Sequence, residues 1–401
     1  MRNLIALTLF VLSTPCLAQL ELVDFFSSKT SSYELKVLDV QEDFVSSHNF
    51  NSPLLREVEF RMRSRDLQSS PDDFRLRFAP INPWERKANK AYLEVLRQQL
   101  SSERRMQLSQ LLSRRYRLII ELKYLQEVLA FTKRKDLSYR NLINAYTKKE
   151  NSGKEILRLK KRLVFNELQS EELVGRVERV QNEISMTYTP PETWVLPDLI
   201  QPEQIQIEIQ NEALSNNNLM IQNEMNKSIL SEAEWQINKS ESFSNMGFLQ
   251  AEYRPDTGLP FSEALGWQLG FQLPIFNRDR PDLQRRKLGV IEDQVFVEQQ
   301  KQEVDLLIFD SESILRAYLR QYEKIQNALR STGSMDSDIS NVDLLLELDE
   351  LKSDLEGEKI DVYRKILDSY VNWMEVTGNL VSEPMVNHVD PKKTNFSLEN
   401  N

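Results

Sequence analysis

The side chains that most often carry catalysis or hold a metal are scarce in this chain of 401 residues. Histidine occurs only at His48 and His388, and the one cysteine, Cys16, lies in an apolar N-terminal stretch. A zinc centre or a His-based triad is not expected from that inventory, and His48, beside Asn49 and Phe50, reads as a loop residue. There is no Gly-rich phosphate loop and no Ser/His/Asp arrangement. Carboxylates are abundant but sit on helix-like stretches among basic residues. A pair one helical turn apart, such as Asp343 and Glu347, is therefore first a solvated helix face. No enzymatic reaction, metal or cofactor is expected.

The chemistry that is encoded belongs to an interface. In GWQLGFQLPIF, Gly266 to Phe276, the odd positions Trp267, Leu269, Phe271, Leu273 and Ile275 are large and apolar, while Gln268, Gly270 and Gln272 alternate with them. This is a period of two. A tilted strand needs roughly 9–11 residues to cross a bilayer, and one apolar face opposite a polar one suits a wall between lipid and water. Met246 to Arg254 alternates likewise, with Leu249, Ala251 and Tyr253 against Gln250, Glu252 and Arg254. The intervening PDTGLPFSEAL is turn-rich, so the two segments read as one antiparallel hairpin with an outer loop. The edge hairpin of a soluble sheet would show the same alternation.

The elements that must position this hairpin follow from the rest of the chain. Residues 1–18 carry one early cation, the apolar run LIALTLFVL and the small-residue exit Cys16-Leu17-Ala18, a secretory signal with cleavage expected after Ala18. Lipidation at Cys16 is the alternative, which Pro15 disfavours. On the first reading the exported chain has no cysteine, which excludes disulfides and thiolate chemistry. Beyond residue 18 no stretch has the 18 or so consecutive apolar residues of a membrane helix, so any crossing must use strands. The net charge of −10 is interleaved with basic segments, against nucleic acid as a partner. Ten glycines and 28% charged residues point to long helices.

In chain order, after a mixed segment 19–50 with a short helix near Leu35–Val45, a helix is expected from Ser52-Pro53 through LLREVEFRMRSRDLQ. FRLRF, Phe74 to Phe78, is strand-like. From Trp84 to about Glu150 no proline or glycine intervenes. Some 65 helical residues would make a rod of roughly 100 Å. Leu118, Leu122, Leu125 and Leu129 step 4, 3, 4 along it, a coiled-coil seam. Asn151-Ser152-Gly153 breaks the rod, and a second helix to about Ile184 folds back. TYTPPETWVLPDL, with its three prolines, is a linker at 187–200. The plan then repeats, with a helix over about Pro202–Lys239, the hairpin at 246–276, and a helix from Pro281 to about Arg330. A turn at Ser331-Thr332-Gly333-Ser334 and a return helix over Asp338–Val376 complete it, with Leu344, Leu348, Leu351 and Leu355 again stepping 4, 3, 4. RFAPIN (Arg77–Asn82) matches FQLPIF (Phe271–Phe276), and NSPLL (Asn51–Leu55) matches NNNLM (Asn216–Met220), each opening a helix. The expected division is a first repeat at 51–186, a second at 201–380, and a polar, disordered tail at 381–401.

Three segments in this order resemble the TolC-like outer-membrane factor family, the exit ducts of bacterial efflux pumps and type I secretion systems. They are EALSNNNLM, LGFQLPIFNRDRPDLQRRK, and LLLELDELKSDLEGEKIDVYRKILDSYVNWMEVTG with its closing Gly378. The resemblance covers roughly residues 35 to 380. It implies a mainly α fold of long antiparallel coiled-coil hairpins in two repeats, whose short β-hairpins pool into a membrane β-barrel. It further implies a passive homotrimeric conduit in the outer membrane with a large periplasmic portion. That conduit would be joined by a periplasmic adaptor to an inner-membrane efflux or ABC transporter, which supplies the energy. On that reading Leu249, Tyr253, Trp267, Leu269, Phe271 and Leu273 contact lipid, with Trp267 in an interfacial aromatic belt. Gln250, Glu252, Gln268 and Gln272 face the lumen. Asn151, Ser152, Gly153, Thr332, Gly333 and Ser334 are the tips that meet the adaptor. Asp343 and Glu347 lie near the family's acidic constriction, although their spacing is not the family's own.

One departure stands out. Family protomers supply two strand hairpins, yet only FRLRF reads as strand between Pro71 and Pro80, so the first hairpin is expected to be truncated. A periplasmic coiled-coil scaffold or adaptor without a complete barrel is then the competing reading.

Overall fold

The computed structural model describes residues 22–27, 33–47, 54–63, 73–148, 153–186, 188, 194, 196–211, 218–242, 247–254, 260–270, 280–334, 342–382 and 384–396. Its elements in order are α1 (Leu22–Ser27), α2 (Tyr33–Ser47), β1 (Leu55–Arg63), β2 (Asp73–Pro80), α3 (Pro83–Thr147) and α4 (Gly153–Ser185). There follow α5 (Pro202–Asn211), α6 (Leu219–Ser242), β3 (Phe248–Tyr253), α7 (Phe261–Ala264), β4 (Leu265–Gly270), α8 (Arg280–Ser334) and α9 (Val342–Thr377). A 3₁₀ turn, Asn379–Val381, and the two-residue strands β5 (Met385–Val386) and β6 (Asn395–Phe396) complete it. The order helix, two strands, long helix, return helix thus occurs twice.

The chain forms two compact units. One is built from Glu34–Met106 and Leu219–Val304 and contains the four-stranded sheet. Here α3 starts with Asn82 as cap, its Oδ1 accepting the Trp84 amide at 2.9 Å, and with Pro83 in the first turn, where a missing N–H costs nothing. The other unit comprises Gln107–Asn218, Asp305–Asn401 and the segment up to Tyr33. Its core is apolar, with Leu112, Tyr116, Ile119, Leu122 and Leu125 of α3 fully buried alongside Val362, Ile366 and Tyr370 of α9.

α4 and the first part of α8 bury residues seven apart, the interval of a coiled-coil heptad. On α4 these are Leu159, Asn166, Leu173 and Val180. On α8 they are Val290, Val297, Val304 and Ser311. Asn166 is satisfied in its buried place, its Nδ2 donating to Thr132 O at 2.8 Å and to Asp136 Oδ1 at 2.6 Å. At the other end of the return helix, Gly378 takes φ 80°, the left-handed value that stops α9 without a Cβ clash.

Several expectations are corrected. LLREVEFRMR is not helical: Leu55–Arg63 is strand β1, paired antiparallel with β2, so the first hairpin is complete rather than truncated. Leu, Arg, Glu and Met favour helices locally, but Val58, Phe60 and Met62 alternate with charges at period two, and pairing with β2 decides the outcome. NSPLL therefore opens no helix; its described residues lead into β1. The helix expected over Pro202–Lys239 is two, since α5 ends at Asn211 and α6 begins at Leu219. Asn218, directly before α6, donates its side-chain amide to Val376 O, a role suited to a helix boundary rather than an interior. The Ser331–Ser334 turn is instead the last turn of α8. The Ser331 and Thr332 hydroxyls donate back to Ala328 O at 2.8 and 2.9 Å, which satisfies them inside the helix. The tail, finally, is folded over its described residues: β5 and β6 pair, and Asn387, Val389 and Phe396 are buried.

Candidate functional site, a sheet with two unlike faces

The strands β1, β2, β3 and β4 are antiparallel neighbours in that order, and their register aligns like with like. One row across the sheet is Val58, Phe78, Leu249, Leu269; the next is Phe60, Leu76, Ala251, Trp267; the third is Met62, Phe74, Tyr253, Leu265. All these residues are apolar or aromatic, and none is fully buried. Phe60 is 59% exposed, Met62 62%, Trp267 66% and Leu269 62%. In a soluble protein such a contiguous apolar face would be covered.

The other face is polar and internally paired. Its rows are Glu59, Arg77, Gln250, Gln268 and Arg61, Arg75, Glu252, Gly266. Arg75 bridges Asp73 at 2.8 Å and Glu252 at 3.2 Å, while Arg254 adds a 2.6 Å contact to Glu252. Gln250 Nε2 donates to Gln268 Oε1 at 3.4 Å. The expected lumen residues Gln250, Glu252 and Gln268 therefore share one face, opposite Leu249, Tyr253, Trp267 and Leu269. Phe271, Gln272 and Leu273 lie outside the described residues, as do Asn151 and Ser152.

Some of the site was not anticipated. Glu59 and Arg61 belong to the polar face because β1 is a strand. Phe248 also lies there, its ring over Gly270, where an added Cβ would come within 2.5 Å of Cε1, and the Arg77 guanidinium stacks 4.1 Å above the same ring. Trp267 stands across from small Ala251, in the same row as Phe60. Phe60, Phe74, Tyr253 and Phe261 form a chain of rings with centroids 6.4, 6.3 and 5.0 Å apart. The signal for it was present in FRLRF and AEY, but only the register joins the two.

The helices carry the remaining candidates. Outward-facing Leu157, Val164, Phe165 and Leu168 on α4, and Leu288, Val295, Leu306 and Phe309 on α8, leave apolar strips exposed away from the buried heptad seams. Polar ties hold α9 to its neighbours: Arg117–Glu375 at 3.2 Å, Arg364–Glu121 at 2.8 Å, Tyr124 Oη donating to Asp361 at 2.7 Å, Lys135–Asp354 at 3.6 Å, and Arg162 with Glu350. Glu127 lies beside Lys123, and burial raises its carboxyl above the usual range. Asp343 and Glu347 both lie at the start of α9, and Glu347 is exposed. Gly153 opens α4, while Thr332, Gly333 and Ser334 close α8. Among the described residues no helix is long and apolar enough to cross a membrane, and no acidic, His or Cys cluster could hold a metal ion.

No protein-family model and no curated protein matches the chain. Solved structures do. A membrane protein from Pseudomonas aeruginosa aligns with a TM-score of 0.57 at 13% identity over 89% of each chain. The outer membrane protein VceC of Vibrio cholerae gives 0.56 at 12% identity, over 86% of this chain and 90% of that one. The MtrE outer membrane channel of Neisseria gonorrhoeae, in its open state, gives 0.54 at 11% identity, over 89% and 88%. At such identities the likeness establishes the fold, that of the TolC-like outer-membrane factors.

Proposed function

We propose that this chain, with its TolC-like fold, is the outer-membrane channel component of a tripartite efflux or type I secretion system. The observation that carries the reading is the two-faced sheet: an exposed apolar face in register over four strands, backed by a polar face whose charges pair among themselves. Lipid accepts the first face and a water-filled lumen the second. The outer edges of β1 and β4 have no partner strand within the described chain, and a spanning sheet with open edges is untenable in hydrocarbon. Closure by copies of the same chain satisfies them. Three copies of four strands make twelve, an even number within the range of outer-membrane barrels. The exposed apolar strips on α4 and α8 are the surfaces that such copies would bury.

A conduit of this kind is passive, so a partner must supply energy, and an inner-membrane pump reached through a periplasmic adaptor fits that need. The adaptor contact falls to the helix ends around 148–153 and 334–342, including Gly153, Thr332, Gly333 and Ser334. Asp343 and Glu347, at the start of α9, would narrow the entrance there. Export follows the leader at residues 1–18. The periplasmic scaffold reading drew its support from a truncated first hairpin, and β1 removes that support. Fractionation tests the proposal. The protein should remain with outer membranes through osmotic shock and need detergent for release; release by shock alone would contradict it.

A further inference from the structure

The alternation in β1 contains an error that the fold corrects. Counting back by twos from Met62 through Phe60 and Val58 reaches Arg56, which would put a guanidinium on the apolar face. The strand avoids this with a bulge. Glu57 pairs with Ala79 and Leu55 with Pro80, so Arg56 is the extra residue and Leu55 returns to the row that continues the apolar face. Arg56 reaches out of the ladder to Glu85 in the first turn of α3, its Nη2 lying 3.0 and 3.2 Å from the two carboxylate oxygens. Glu85 is only 7% exposed and lies at the positive end of α3, with Arg56 beside it. Next to it, Asn82 is wholly buried. Its Oδ1 caps α3, and its Nδ2 donates to Ser240 O in the last turn of α6 at 3.3 Å.

From this geometry we infer that the Arg56–Glu85 pair is a register lock. It ties the one extra residue of β1 to the start of α3, and so fixes which side chains of the strand meet lipid and which meet water. The inference rests on reading the apolar face as lipid-facing. A one-residue slip would send Val58, Phe60 and Met62 to the lumen and Glu57, Glu59 and Arg61 into lipid, which a membrane strand cannot tolerate. Arg56 and Glu85 are positioning residues; neither needs to touch cargo.

The test uses single cysteines at Val58, Glu59, Phe60 and Arg61, with the exported chain otherwise free of cysteine, labelled by a membrane-impermeant maleimide in intact outer membranes. In the wild-type background labelling should alternate, with 59 and 61 reactive and 58 and 60 protected. In Arg56→Ala and Glu85→Ala backgrounds the alternation should be lost, while Arg56→Lys, which keeps the cation, should retain it. Alternation that survives both alanine changes overturns the lock and leaves the barrel standing. Loss of the protein from the membrane in all three variants, Arg56→Lys included, also overturns it, because charge pairing is then not what the junction requires. Absence of alternation in the wild-type background overturns the lipid-facing reading itself, and the lock with it.

Discussion

At the scale of single residues, His388 shows how a buried group can tie stability to pH. It sits between β5 and β6, 7% exposed. Burial, reinforced by Lys393, lowers its pKa from 6.5 to about 4. The neutral ring is therefore favoured in the fold. Stability is full above pH 6.5, declines as pH falls from 6.5 towards 4 while only the unfolded chain takes up the proton, and levels off below, a loss of about 3 kcal/mol. Thermal unfolding between pH 4 and 7 should show this slope, and His388→Gln should flatten it; an unchanged slope would place the titration elsewhere. The polar-face residues Gln250, Glu252 and Gln268 were legible in the sequence, because a period of two assigns faces without any knowledge of partners. Arg56 was not. It breaks the alternation of β1, but that marks a bulge only once the segment is known to be a strand, and the pairing of Glu57 with Ala79 and Leu55 with Pro80 reveals it.

At the scale of elements, the long helices were the easiest to read. Beyond Pro83 in its first turn α3 has no proline or glycine, and its Leu122 and Leu125 are both fully buried as the 4, 3, 4 spacing predicts. Leu125→Ala should cost about 2–5 kcal/mol through lost burial and the cavity left behind, read as a lower unfolding midpoint. An effect below about 1 kcal/mol would mean that the site collapses around the gap. β1 was misread because its residues favour helix one by one, while the strand forms only with β2 beside it. The C-terminal ribbon was misread from polar composition. What holds it is specific: Tyr116 Oη donates to Val386 O at 3.2 Å and accepts the His388 amide at 3.3 Å, Phe396 stacks near Phe26, and Lys393 bridges Glu208 at 2.8 Å. The turn between β5 and β6 is pinned by Asp390, which accepts the Lys392 amide at 2.9 Å and the Thr394 hydroxyl at 2.6 Å. Ending the chain at Glu383 should expose the fully buried Tyr116 and increase proteolysis of α3 near it in limited digests. Unchanged digestion would show the ribbon to be dispensable.

At the scale of the whole molecule, the account depends on copies of the chain completing one another. The open edges of β1 and β4 and the uncovered strips of α4 and α8 are liabilities for a solitary chain and interfaces for a trimer. Cysteines on the two edge strands, Phe60→Cys with Trp267→Cys, should therefore cross-link neighbouring copies into a covalent trimer while either change alone does not. Dimers and trimers absent under oxidation would argue against edge closure. Fold class and the general plan were legible at this scale because the duplicated order of elements survives in the sequence. The number of strands was not, since it hinged on one misread segment.

The most direct measurement of the central claim is the cross-linked size of the protein extracted from purified outer membranes, beside the same protein carrying Leu269→Asp and Phe60→Asp. Each aspartate would stand on the apolar face at a different edge of the sheet, at a cost of up to about 2 kcal/mol in lipid. The account predicts a detergent-extracted trimer for the unaltered chain and loss of the doubly changed chain from the membrane fraction. An unaltered chain found soluble and monomeric in the periplasm, with the changes making no difference, would contradict it.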